Sequence, residues 1–174
     1  LEHETMSDTA SGLYAYDRAE NRQLGVMEPP RPQPRFCLIE PGELRHAWAF
    51  VRPALDTLDR PDGWLPEDVY LLLRSNGASL YLIYDKTGSP AGFFILRLIQ
   101  DFDGPRVHIW ILHAVDAEFD VMAEFDDELQ QLARRAGAVR LTFSTNRPGW
   151  HKVAPKYGFS PREITYEKPV QVQP

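Results

Sequence analysis

The chain has 174 residues, 19 basic against 25 acidic for a formal net charge of −6, with 43% hydrophobic and 25% charged residues. That makeup reads as one soluble globular domain, long enough to bury a core without a disulfide or structural metal. A pI near 5.4 argues against wholesale nucleic-acid binding. The apolar runs, about ten residues at most, are half of what spans a bilayer, so no membrane segment is expected. The lone Cys37 precedes an apolar run and reads as a buried, inert thiol. With no signal-peptide pattern, a cytoplasmic protein is expected.

Residues 1–5 precede Met6-Ser7-Asp8, which looks like a natural start, and are set aside as a remnant. From there to Arg35 the chain is polar and ends in Pro29, Pro30, Pro32 and Pro34, the composition of a flexible or stiffly extended arm. The domain proper is expected over 36–174. Phe36–Ile39 is a short strand candidate. Leu44, Ala47, Trp48, Val51, Ala54, Leu55 and Leu58 follow at helical spacing, with Pro53 as a bend. A second helix starts at Pro66, with Glu67 and Asp68 at its positive end, and stops at Asn76-Gly77.

Residues 78–85, 91–99 and 107–115 read as an antiparallel meander with turns at 86–89 and 101–105. In the last strand, strict alternation sets Val107, Ile109, Ile111, His113 and Val115 on one face and His108, Trp110 and Leu112 on the other. One helix is expected over 117–136, then a strand over 139–145, a short helix over 148–157 and a closing strand over 164–170. Strand, two helices, three strands, helix, strand, helix, strand is a mixed α/β order, unlike a doubly wound parallel sheet.

Ala91-Gly92-Phe93 opening a meander strand, the helix-to-strand junction over 133–144 and Gly158-Phe159 before the last strand resemble motifs of the Gcn5-related N-acetyltransferases. The likeness covers about 36–170. It implies a mostly antiparallel central sheet with helices on both faces, and acetyl transfer from acetyl-CoA to an amine, with no metal. It implies cofactor contacts from the fourth strand at Leu112, Ala114 and Val115 and from Asn146 and Arg147. At the end of the splayed strands, His113 and Tyr157 are the candidate catalytic groups, and Trp110, Trp150 and His151 the candidate substrate contacts.

The family's pyrophosphate loop carries glycines and a basic residue. The corresponding 113–122 has no Gly, Arg, Lys or Gln. Residues 116–128 instead sum to −7 and 129–174 to +6. Carboxylates within a Debye length of a pyrophosphate repel it, by about a kcal/mol or more per close pair. Where the family often has an acidic Tyr, four residues before Gly158, this chain has Ala154; Tyr157 is the nearest phenol. The 113–122 departure motivates a second reading: a binding or structural module of the same fold, similar to phage-encoded or virion-associated members, contacting a protein partner through 6–35 or the acidic 116–128 face. A third reading is a modulator that works by charge mimicry. Homodimerisation is compatible with either of the first two.

No metal site is expected, because His108 and His113, five apart on a regular strand, point to opposite faces. No G-x-S-x-G elbow supports a serine hydrolase.

Overall fold

The structure, a computed structural model, describes residues 35–60, 62–116 and 119–170. Of the arm expected over 1–35, residues 1–34 lie outside them, as do the first residues of the expected third helix, while Arg35 belongs to the first strand. The described elements are β1 (Arg35–Ile39), α1 (Leu44–Thr57), α2 (Pro66–Arg74), β2 (Ser79–Tyr84), β3 (Pro90–Asp101), β4 (Gly104–Ala114), α3 (Val121–Glu124), α4 (Asp126–Arg135), β5 (Arg140–Phe143) and α5 (Trp150–Val153), the last running into a 3₁₀ turn over 154–157.

The strands form one sheet in the order β1-β2-β3-β4-β5. The first three pairings are antiparallel and β4–β5 is parallel. Local chemistry sets the turns. Asp85 Oδ1 accepts the Thr87 and Ser89 backbone N–H groups at 2.7 and 3.0 Å, closing the β2–β3 connection. At α2, Pro66 fills the first turn and the Asp68 carboxylate accepts the Leu65 N–H at 2.8 Å. Arg74, in the last turn of α2, donates to the Pro41 carbonyl.

Two apolar clusters sandwich the sheet. Leu44, Ala47, Val51 and Leu55 of α1 and Val69 and Leu73 of α2 meet Leu80, Leu82, Phe93, Ile95 and Ile111 on one face. Val121, Met122, Phe125, Leu129 and Ala133 meet Ile83, Phe94, Leu96, Val107 and Ile109 on the other. The expected single helix over 117–136 is broken. Phe125 leaves helical geometry, at φ −115° and ψ 18°, between α3 and α4. Its ring is fully buried and lies 5.5 Å from Phe36 and 6.2 Å from Phe119. Burying an aromatic ring is worth roughly 3 kcal/mol, more than one broken helical turn costs.

Strict alternation in β4 also fails. Ile95 and Leu96 of β3 face Ile111 and Ile109, so Trp110 is an extra residue, a β-bulge. The bulge inverts the pleat. Val107 and Ile109 belong to the α3/α4 side, whereas Ile111 packs with α1 and α2 and His113 lies against Phe93 of that same cluster at 5.3 Å. Leu112 packs with α3/α4 rather than with Trp110. His108 and His113 therefore share a face, and the spacing argument that separated them does not hold.

The closing strand expected over 164–170 pairs with nothing among the described residues. Ile164, Tyr166 and Val170 are 75, 89 and 89% exposed. The chain leading there is held by side chains: Phe159 against Phe143 at 5.0 Å and Arg162 on Asp103 at 2.9 Å. Alternating apolar residues make a strand only where another backbone supplies the ladder.

Candidate functional site

The bulge at Trp110 coincides with the point where β4 and β5 part. Their parallel register runs from Arg106–Arg140 to Ile109–Phe143 and stops. Trp110–Ala114 continue along β3 with no β5 partner in register. The Val115 N–H donates to the Ala91 carbonyl at 2.8 Å. Alternation along an antiparallel ladder therefore turns the backbone groups of Ala114 and Leu112 towards the open side. Of the three fourth-strand residues implied as cofactor contacts, Leu112 and Ala114 present their backbone to the opening, while the Val115 amide is committed to β3.

Gly92 makes this geometry possible. A Cβ there would sit 2.3 Å from the His113 carbonyl oxygen, so β3 and β4 approach more closely than any side chain would allow.

On the α1/α2 face the opening is lined by aromatic and basic groups. Trp64, in the α1–α2 loop, meets Trp110 edge to face at 6.0 Å. The Asn146 amide donates to Asp59 at 3.0 Å, tying the loop after β5 to the α1–α2 loop. His108 Nδ1 lies 3.0 Å from Thr142 Oγ1, which also accepts from Arg106 at 3.2 Å. Burial, reinforced by Arg106 and Arg97, pushes His108 down to about 4, against a smaller opposing pull from Asp62. Burial also lowers His113, so both imidazoles are neutral near pH 7.

The remaining candidates lie elsewhere. Trp150 packs edge to face on Phe143 at 4.9 Å. Phe143 belongs to the α3/α4 side, so Trp150 is across β5 from Thr142 and His108. His151 Nδ1 contacts the Pro148 carbonyl within its own turn. The Tyr157 hydroxyl donates to Asp120 Oδ2 at 2.9 Å, and that bond, with some desolvation, raises the phenol above its ordinary value. Arg147 is exposed, its N–H on Thr145 Oγ1 at 3.1 Å. The structure thus places Trp110 and His113 on the α1/α2 face of β4, with the Leu112 and Ala114 backbone on its unpaired edge, ties Asn146 to Asp59 of the α1–α2 loop, and puts Trp150 on the other side of β5.

A two-helix excursion after the first strand, an antiparallel β1–β4 meander, and a fifth strand that is parallel to β4 and leaves it at a bulge make a distinctive combination. Three solved structures align with this chain across nearly their whole length. An aminoglycoside N-acetyltransferase, AAC(6')-Iy, in complex with CoA superposes with TM-score 0.59 at 16% identity, over 82% of this chain and 99% of that one. This is the fold of the Gcn5-related N-acetyltransferases. Two more acetyltransferase structures agree. Glucosamine-6-phosphate N-acetyltransferase from Arabidopsis thaliana gives 0.54 at 16% identity over 80% and 99% of the two chains. Ribosomal-protein-alanine N-acetyltransferase from Brucella melitensis biovar Abortus 2308 gives 0.55 at 13% identity over the same shares. No family model matches the chain, and no curated protein matches it in sequence.

Within the acetyltransferase fold this chain fits one end of acetyl-CoA and not the other. The open Leu112–Ala114 edge suits an amide-bearing arm. The acidic start of α3 does not suit a pyrophosphate: α3 has four residues, Asp120 caps it by accepting the Ala123 N–H at 3.1 Å, and Asp126, Asp127 and Glu128 open α4. Sequence reasoning missed Trp64, Arg97, Asp59 and His108 as neighbours of the opening. A charged residue between Leu96 and Leu98 in an apolar strand was the available signal for Arg97.

Proposed function

We propose that the chain is an N-acyltransferase working at the β4–β5 opening, and the observation that carries this is the Trp110 bulge at the last β4–β5 register pair. Bound there, acetyl-CoA would supply an activated acyl carbon: a C–N bond to the amine forms, the C–S bond breaks, and one proton passes from the amine to the departing sulfur. Leu112 and Ala114 offer backbone donors and acceptors that orient the acyl arm. His113, neutral and on the α1/α2 face beside Phe93, is the base that takes the amine proton and then yields it to the departing thiolate. Trp110 and Trp64 wall the acceptor side. Arg147, exposed in the loop after β5, is the basic residue that would stand in for the missing phosphate loop. Thermal unfolding with and without acetyl-CoA tests the reading. Ligand at 100 times its dissociation constant adds about 2.7 kcal/mol, a rise of several degrees. An unchanged midpoint at millimolar acetyl-CoA would overturn it.

The Tyr157–Asp120 bond at the acidic start of α3 favours a second reading, a binding module of the same fold. There the 116–128 carboxylates, with or without residues 6–35, face a basic protein partner. Salt-sensitive capture of a basic partner, together with no response to acetyl-CoA, supports it.

A further inference from the structure

Arg97 of β3 stands across from His108 of β4 on the α1/α2 face. Its guanidinium carbon lies 5.4 Å from the Trp110 ring centroid. Trp110 contacts Trp64, and Arg60 lies 5.6 Å over Trp64. Residues from β3, β4 and the α1–α2 loop thus form a series of cation, ring, ring, cation, reaching from the sheet to the mouth of the opening.

The acids nearby are mostly committed. Asp101 bridges Arg106 at 2.8 Å and Arg140 at 3.1 Å, and Asp59 holds Asn146. Asp62 is the one carboxylate whose field opposes Arg97 and Arg106 at His108, and the arginines outweigh it. Arg97 makes no ion pair among the described residues, and its Nε is out of solvent with no acceptor. A guanidinium lodged against a ring, with a covered donor unmatched, is a site that gains most from a carboxylate.

We propose that this cluster is the acceptor subsite and that the acceptor is an amine which also carries a carboxylate, held by Arg97, with an apolar or aromatic body against Trp110 and Trp64. The amine half rests on the acyl-transfer reading; the carboxylate half does not. The same arginines disfavour a polycation, because every added ammonium meets Arg60, Arg97 and Arg106 across a neutral His108.

The test titrates the full chain with phenylalanine, phenylalaninamide and spermidine, reading tryptophan fluorescence. Phenylalanine is expected to bind at least about tenfold more tightly than its amide, in which a neutral carboxamide replaces the carboxylate, and than spermidine. Arg97→Met is expected to erase that preference, Arg97→Lys to keep part of it, and Trp110→Phe to diminish the fluorescence response, Trp64 supplying what remains. Should Arg97→Met fail to fold, the acid-against-amide comparison on the unaltered protein still decides. Equal affinities, tighter spermidine, or no binding of phenylalanine up to about 10 mM overturns the proposal. A parallel acetyl-CoA titration separates the failures. Carboxylate preference without an acetyl-CoA response sinks acyl transfer alone; an acetyl-CoA response without the preference sinks this inference alone.

Discussion

The Tyr157 hydroxyl bonds to Asp120 Oδ2 at 2.9 Å, joining the turn before Gly158 to the cap of α3. This bond raises the phenol above its ordinary value and spends it on a structural tie at the acidic end of α3. Asp120→Asn removes one negative charge from that end. We expect CoA affinity to rise about fivefold, since one close charge pair is worth roughly 1 kcal/mol. Tyr157→Phe should leave CoA affinity no weaker. Calorimetric titration checks both; a loss of binding in Tyr157→Phe would show that the phenol contacts the ligand.

Gly92→Ala forces a Cβ to within 2.3 Å of the His113 carbonyl, so β4 must move where the opening begins. Overpacking of backbone against backbone costs about 1–3 kcal/mol. Urea unfolding should show that loss as a lower midpoint with an unchanged slope. Acetyl-CoA binding should weaken as well, because the displaced strand carries Leu112 and Ala114.

His108 gives the protein a pH-dependent stability of defined sign. Its folded value near 4 lies below the ordinary 6.5, so the unfolded chain takes up its proton first as pH falls. The stabilisation is complete above about pH 6.5, declines down to about pH 4 and is flat below that for this group. Allowing for solvent screening at a half-buried site, the loss is about 1–2 kcal/mol. Denaturant midpoints at pH 7 and 4.5 should differ accordingly, and His108→Asn should shrink the difference. An unaltered pH slope in the variant would assign the effect to carboxylates elsewhere.

Asn146→Ala unlatches the α1–α2 loop from the segment after β5. The bond is exposed, so stability should fall by less than about 1 kcal/mol. Amide exchange in 59–64 should quicken while α1 and α2 stay protected, since their cores do not touch the latch. Unchanged exchange in the loop would mean that Trp64 against Trp110 holds it alone.

Periodicity and turn chemistry, both local, were enough to read most of the elements from the sequence. The three-and-four spacing in α1, Pro66 and Asn76-Gly77 bounding α2, and the turn over 86–89 between β2 and β3 all appear in the structure where the residues place them, although Asp85, read as the end of the strand, belongs to that turn. The element order, with Gly92 and Gly158, was enough to point to the acetyltransferase fold. The unusual charge distribution was legible too, because counting carboxylates over 116–128 needs no coordinates.

What tertiary structure decided is everything that depends on two segments meeting. The bulge at Trp110 arises in the pairing of β3 with β4, and no alternation rule within β4 reveals it; yet it turned Ile111 and His113 to the α1/α2 face and placed His113 on the same side as Trp110. The break at Phe125 follows from a ring finding Phe36 of β1, remote in sequence, together with Phe119 just before α3. Ile164–Val170 has a strand's pattern and, among the described residues, no strand's pairing, because a ladder needs a second backbone. The series from Arg97 to Arg60 joins residues far apart in sequence; a single position carries its residue's chemistry, but a site exists only once β3, β4 and the α1–α2 loop fold onto one another.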